Sequence, residues 1–575
     1  MPETRVELVT QELAVNWLSP WQLLQTGLRV LVADVVGGLS DPRLVHAALT
    51  PEAATTPTWS APESEAAAPF WLDYLADTGD GWDSTYSVAW SVAREQLEVP
   101  GAGALPRGQV LVLGGDQVYP TPAAQAYRTR FLDPFRSALP SAISPPEREA
   151  EAKHAPKLFA LPGNHDWYDG LRGFLQTFGS GQGIGRWQTV QKRSYFALQL
   201  PHGWWLWGLD LQLESQMDAP QWAYFDAMAA QLKPGDRVVL CTPEPSWLDQ
   251  NVQLGANNDA PLESLEHLQP RFKSLRKIEK RIASCKDVRL AAVLAGDLHH
   301  YARYQPSAEA PMPQPPQRIT CGGGGAYLLG THDLPEHVRF RGGAGIETQQ
   351  RTAAFPSVDA SRALRDRAWR LPLYNPKFGL TLAAFYLIWI ELVQRAGTYP
   401  GLAWMWGLCL VLGAGIFTMN STPQRTGSAF AGGAFHGALH VGVAAGLSEI
   451  GAALPWWGGL FATVIGGWWM GGALFGLWLM LSNRWLGWHA EESFSAQSLT
   501  AYRSFLRMRV DAEGLTIYPL GIRKVCQRWQ LGQGIELLRQ AKRTWRLRAH
   551  TGSGPRFEPV DPIQVELIEA PIIIR

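Results

Sequence analysis

The stretch LFALPGNHDWYDG, Leu158 to Gly170, begins as an apolar, strand-like run, stops at Pro162, and releases an amide, an imidazole and a carboxylate into an aromatic turn. Asn164, His165 and Asp166 offer a metal ion or a phosphate three different kinds of contact. Other apolar runs end the same way. Phe70 to Ala76 leads into DTGDG, with Asp77 and Asp80; Val110 to Leu113 leads into GGDQVYP, with Asp116 and Tyr119; Leu290 to Leu294 leads into AGDLHHYARY, with Asp297, His299 and His300. In layered α/β folds ligands gather at the C-terminal edge of the strands, so motifs distant in sequence can meet there. Gly79, Gly115, Gly163 and Gly296 stand beside the donors and suit turns where backbone must approach an ion closely. Hard oxygen donors with few imidazoles favour Mn, Fe or Mg over a thiolate-rich zinc site.

Outward from these runs, Val238 to Leu240 has strand length and Arg271 to Ser284 has a helical pattern, which together predict an α/β layered sheet. At 575 residues the chain is too long for one ordinary core. A formal net charge of zero argues against nucleic-acid binding through bulk positive charge. Cys241, Cys285, Cys321, Cys409 and Cys526 are scattered without zinc-like spacing, which suits reduced thiols and a cytosolic face. The N-terminus carries acids among its apolar residues and does not have the pattern of a secretory signal.

Composition changes after Lys377. Gly379 to Gln394, Gly401 to Met419, Ala429 to Leu454 and Trp456 to Ser482 are strongly apolar, against the roughly 20 residues a membrane span needs. The first is short enough to suit a buried core hairpin as well. Basic residues from Arg351 to Lys377 and from Arg484 to Arg509 flank the set, with only Arg395 and Arg425 in the connections, so both ends are expected in the cytoplasm. An integral protein of an inner or plasma membrane is the expectation. The expected domains are an N-terminal segment over 1–69 packing on a catalytic domain over 70–345, a basic juxtamembrane linker over 346–378, four spans over 379–483, and a small β-rich C-terminal domain over 484–575.

The ordered blocks DTG, GDQVY, GNHD and GDLH resemble those of the calcineurin-like metallophosphoesterases, a superfamily that includes the purple acid phosphatases. The resemblance covers about Phe70 to His332 and implies a four-layer αββα sandwich. It also implies two divalent or mixed-valence metal ions (Mn, Fe, Mg or Zn) and hydrolysis of a phosphate mono- or diester by a metal-bridged hydroxide. Asp77 and His299 would bind one ion, Asp116 would bridge both, and Asn164 with Asp297 would hold the second. Tyr119 stands where purple acid phosphatases place an iron-binding phenolate, though a buried hydrogen-bonding tyrosine fits equally. His165 would contact the phosphate or protonate the leaving oxygen.

This sequence departs from the superfamily pattern at three points. Gly79 replaces the first block's histidine, and Asp297 the last block's first histidine. No histidine follows VVLCTPEPSW, where Glu244 is the better ligand. Asp166 would either orient His165 or stabilise the turn. His300 would lie behind the ligands, and His332 would reach the phosphate or cap its loop. Arg193 would meet an anionic substrate, either lipid-linked or a nucleotide. His436 and His440, one turn apart in the third apolar run, suit either a metal or a helix-to-helix hydrogen bond. The rival to an enzyme is an altered metal-binding sensor or scaffold coupled to membrane helices.

Overall fold

Phe70–Leu75, Val110–Leu113 and Lys157–Ala160 lie side by side as parallel strands, buried on both faces as parallel strands generally are. A computed structural model describes residues 4–19, 43–44, 47, 55–62, 68–212, 217–248, 270–306, 314–341, 346–394, 400–422, 426–550 and 554–575 of this chain. Trp204–Gly208, Arg237–Thr242, Arg289–Ala295 and Gln317–Cys321 form a second parallel set. Alternation along the strands sorts the side chains between layers. Phe70, Leu72, Tyr74, Val112 and Phe159 of the first sheet meet Leu198, Leu206, Val239, Leu294 and Ile319 of the second in one buried cluster. Leu111, Leu113 and Leu158 turn the other way, onto Tyr86 and Val92 of the Trp82–Ala93 helix. Val238, Leu240 and Val293 turn outward onto the Ala219–Ala229 and Pro270–Ala283 helices. The C-terminal ends of both parallel sets meet at one edge, where Asp297 N–H, beyond the Arg289–Ala295 strand, donates to Asp77 Oδ2, beyond the Phe70–Leu75 strand, at 2.9 Å.

Two expected domains do not stand apart. Arg503–Asp511, placed by sequence in a separate C-terminal domain, pairs antiparallel with Phe70–Leu75 and continues the first sheet into Gly514–Ile522. Arg507 anchors that junction. Its Nε and Nη2 donate to Asp73 at 2.7 and 3.1 Å and its Nη1 donates to Leu105 O at 2.9 Å, with both side chains fully buried. Arg5–Thr10 pairs with Thr544–Ala549, so the two ends of the chain also share a sheet. The expected basic linker begins as a strand, Ile346–Phe355, paired with Tyr301–Pro306, and goes on to a helix, Val358–Arg365, capped by Ser357. The physical reason is common to both corrections. Alternation marks a segment as a strand, but the N–H and C=O groups of an open sheet edge accept any extended partner regardless of separation in sequence.

Pro376–Gln394, Gly401–Asn420, Gly427–Ala452 and Trp456–Leu486 form four helices, 19, 20, 26 and 31 residues long, that are long and apolar enough to cross a membrane. Glycine lets them approach closely: a Cβ on Gly433 would sit 2.3 Å from Ala414 O of the neighbouring helix. His436 and His440 are buried, 3.0 Å apart through their Nε2 atoms, and Tyr386 of another helix bonds to His440 Nδ1, a helix-to-helix hydrogen-bond chain. Arg395 and Arg425 lie outside the described residues. Both ends of the helix set are tied to the sheets, by Asn375 Nδ2 donating to Asn16 Oδ1 at 2.9 Å and by Asn483 Nδ2 donating to Asp333 at 2.9 Å.

Replacing Arg507 by Met leaves Asp73 buried and unneutralised. We expect a loss of about 3–5 kcal/mol from the stability of the sheet body, read from denaturant titration of tryptophan fluorescence. The Arg507→Met/Asp73→Leu pair should recover most of it. A chain ending at residue 345 lacks the Arg503–Asp511 strand and should be recovered only as protease-sensitive material.

Candidate functional site

Three of the carboxylate residues that end strands sit in left-handed backbone: Asp77 at φ 61°, Asp116 at φ 47° and Asp297 at φ 68°. Non-glycine residues held there cost about 1–3 kcal/mol each and concentrate at functional sites. Local hydrogen bonds hold the turns, with Thr78 N–H donating to Asp116 O at 2.9 Å and Asp297 N–H to the Asp77 carboxylate at 2.9 Å. Gly163 is required by contact: a Cβ there would fall 2.0 Å from Asp116 Oδ1.

The hydroxyl of Tyr119 is the centre of the cluster. It lies 3.0 Å from Asp77 Oδ1, 3.1 Å from Asp116 Oδ2 and 3.0 Å from His299 Nε2. His299 Nδ1 faces Tyr327 O at 2.8 Å and so carries its ring hydrogen there, leaving Nε2 with a lone pair. Burial, reinforced by the charge of Arg503, holds the His299 pKa well below its ordinary value, so Nε2 stays an acceptor. Tyr119 then has one hydrogen for three acceptors. Burial, together with the neighbouring charges of Asp116 and Asp297, raises the Asp77 carboxyl well above the usual range, and burial raises Asp116. With both carboxylates ionised the cluster offers lone pairs from Asp77, Asp116, His299 and the phenol with only one hydrogen among them. The raised carboxyls show that this crowding is relieved by positive charge, whether a proton or a cation. Asn164 fits too: its Nδ2 donates to Tyr168 at 3.3 Å, while its buried Oδ1 has no hydrogen-bond partner. Among the described residues no group of three or more His, Cys, Asp or Glu side chains is arranged to hold a metal ion. The set around Tyr119 is completed by its phenol.

Glu244 is buried two residues beyond the Arg237–Thr242 strand, in the loop whose Pro243 O accepts from Gly296 N–H. His165 donates its backbone N–H to Asp116 Oδ1 at 2.8 Å, its Nδ1 faces Pro120 O at 2.8 Å, and its ring packs on Tyr119, Tyr168 and Trp17.

Four other sequence-selected residues lie outside the Tyr119 cluster, and of its two expected roles Asp166 takes the turn-stabilising one. Asp166 does not orient His165; it is fully buried and accepts from Gly163 N–H at 2.9 Å, Gln117 Nε2 at 3.2 Å and Tyr127 at 2.5 Å, tying the loops together. His300 is sealed in the interior near Leu329 and Arg351, its pKa pushed down to about 4 by burial. His332 meets Ser361 at 2.9 Å and Asn483 of the last apolar helix at 2.8 Å. Arg193 lies over the rings of Tyr195 and Tyr224, on the face of the second sheet turned away from the first. Asp166 and His332 found partners on other elements that sequence spacing could not indicate.

Sequence reasoning missed Trp17, Tyr327 and Arg503. Trp17 packs on Tyr119, His165 and Tyr327 with centroids 5.8, 5.9 and 5.0 Å away. Asp80, a strand-end carboxylate like Asp77 and Asp116, instead receives Val15 N–H at 2.6 Å, Trp17 Nε1 at 3.3 Å and Tyr327 N–H at 3.0 Å. Arg503 is buried beside Ala326 and Ala501, and burial pushes its pKa down to about 10. No motif surrounds Trp17 or Arg503, and nothing in the mixed apolar and acidic N-terminal stretch sets Trp17 apart.

No protein-family model and no curated protein matches the chain. Solved structures similar to it include GAP50, the anchor in the inner membrane complex of Plasmodium, at 12% identity and TM-score 0.31, covering 49% of this chain and 83% of that one. Another is the purple acid phosphatase PPD1 from yellow lupin (Lupinus luteus) seeds, at 13% identity and TM-score 0.29, covering 45% of each chain. Likeness this slight says nothing about function.

A cation that binds only the folded protein stabilises it by about 2.7 kcal/mol at one hundred times its dissociation constant. Adding Mn2+ after chelator treatment should therefore raise the melting temperature by several degrees. Asp116→Asn and Tyr119→Phe should lose most of that increment, measured by differential scanning fluorimetry.

Proposed function

We propose that the chain is a membrane-associated, metal-dependent phosphoesterase on an αββα body that faces the cytoplasm. The observation that carries this reading is the convergence of Asp77, Asp116 and His299 on the single phenolic hydrogen of Tyr119. Four residues from three separate loops, three of them lone-pair donors held in costly or buried conformations, suit a cation better than they suit each other.

Asp77, Asp116, Tyr119 and His299 would hold one ion, and Asp116, Asn164, Asp297 and Glu244 a second. Such ions, when bound, supply Lewis-acid stabilisation of the charge that develops on phosphoryl oxygens. The chain's own groups do the rest. Tyr327 O fixes the His299 tautomer so that Nε2 faces inward, as partners of metal-binding histidines generally do. Pro120 O holds the His165 Nδ1 hydrogen in the same way, so the second proton of the imidazolium form sits on Nε2, from which it can pass to the departing alcohol. Trp17, Tyr119 and Tyr168 wall that imidazole and hold its orientation.

The sensor or scaffold reading has one observation in its favour, the carboxylates at 244 and 297 where the resemblance implies histidines. Activity separates the two. Full-length protein reloaded with Mn2+ should hydrolyse p-nitrophenyl phosphate or bis(p-nitrophenyl) phosphate. Asp116→Asn and Asn164→Ala should each lower kcat/KM by on the order of 10²-fold or more. His165→Ala should cost about 10²–10⁴-fold with an alkyl phosphate, and less with the p-nitrophenyl ester, whose leaving group needs little protonation. Metal binding without turnover of any ester would establish the sensor instead.

A further inference from the structure

Three consecutive residues tie the site to the ends of the membrane-type helices. Asn16 bonds to Asn375, which precedes the first helix. Trp17 packs on Tyr119 and His165 of the site. Leu18 is buried in a cluster with Leu371 and Leu479, against which Phe378 of the first helix and Phe475 of the last are packed. The segment that carries these three residues therefore touches the donor cluster on one side and the helix ends on the other. A second link leads the same way: Tyr327, which takes the His299 hydrogen, begins a short loop that ends at His332, bonded to Asn483 of the last helix.

The length of the last helix agrees. Its 31 residues span about 46 Å, against a hydrocarbon core of about 30 Å, so roughly ten residues stand clear of the lipid. Ser482 and Asn483, in that excess, are buried. Around the helix ends the exposed side chains are those of a lipid–water boundary: Trp369, Leu373, Tyr374 and Trp485, beside the exposed cations Arg370 and Lys377. Arg484, ion-paired to Asp366 at 3.6 Å, draws the two groups together. Cations at this level attract anionic headgroups, each by about 1 kcal/mol near a charged surface.

We propose that the substrate is a membrane lipid whose headgroup carries a phosphate ester, presented to the site from the leaflet in which these helices end. This rests on the phosphoesterase reading. Water adds its oxygen to phosphorus, the P–O bond to the lipid alcohol breaks, and one proton from that water leaves on the alcohol. No other reactant is needed. A lipid held in the plane of the bilayer reaches the site at a far higher effective concentration than the same headgroup in solution.

The test uses the full-length protein in phosphatidylcholine vesicles carrying phosphatidic acid or phosphatidylglycerol. Their water-soluble counterparts, glycerol 3-phosphate and glycerophosphoglycerol, are assayed at equal total concentration, with the p-nitrophenyl esters alongside. At least one lipid should turn over faster than its soluble headgroup by on the order of tenfold or more. Trp369→Ser/Leu373→Ser should reduce that preference several-fold and leave p-nitrophenyl ester turnover unchanged. Turnover of the p-nitrophenyl esters with neither lipid faster than its soluble counterpart overturns the lipid proposal and leaves the hydrolase standing. No turnover of any ester overturns the hydrolase reading, and this proposal with it.

Discussion

A phenol has one hydrogen, and in this protein three acceptors crowd around it. Asp77, Asp116 and His299 all lie within 3.1 Å of the Tyr119 hydroxyl, so with both carboxylates ionised at least two of the three contacts set lone pair against lone pair. In a buried place such an arrangement persists only if a proton or a cation relieves it. Much of the surrounding architecture can be understood as what keeps these groups from moving apart.

The sheets do the first part of that work. Parallel strands deliver every donor loop to the same edge, and the loops then bind one another through backbone hydrogen bonds rather than through solvent. Glycine at 163 allows the approach to Asp116, while the aspartates themselves accept left-handed backbone. The second part comes from segments that carry no donor at all. Trp17 comes from the start of the chain and Arg503 from beyond the last apolar helix, and each is brought in by a strand or loop pinned elsewhere: Asp80 holds Trp17, and the Arg507–Asp73 ion pair holds the strand that carries Arg503.

The membrane-type helices are therefore not an appendage attached by a linker. The chain leaves the second sheet, forms the four helices, and returns to pair with the central strand of the first sheet. The two crossings are fixed at Asn375 and Asn483, and each bonds to a segment that also carries a side chain or carbonyl of the site. This arrangement links the donor cluster to the helix ends through the segments that carry Trp17 and Tyr327.

The sequence alone was enough to locate the strands that end in donors and the four apolar helices, because each rests on a local pattern: short apolar runs followed by a turn, or an apolar stretch of spanning length. The grouping of Asp77, Asp116, Tyr119 and His299 came only from the resemblance of the ordered blocks. Roles that depend on which neighbour a side chain finds were beyond it. Asp166 and His332 occupy positions that spacing alone cannot distinguish from catalytic ones, and only packing gave the first to Gln117 and Tyr127 and the second to Asn483. The pairing of Arg503–Asp511 with Phe70–Leu75, across more than four hundred residues, likewise follows from which sheet edge was open. Tertiary structure decided these because hydrogen-bond complementarity at an edge or in a pocket acts through space, and chain separation enters only weakly through loop entropy.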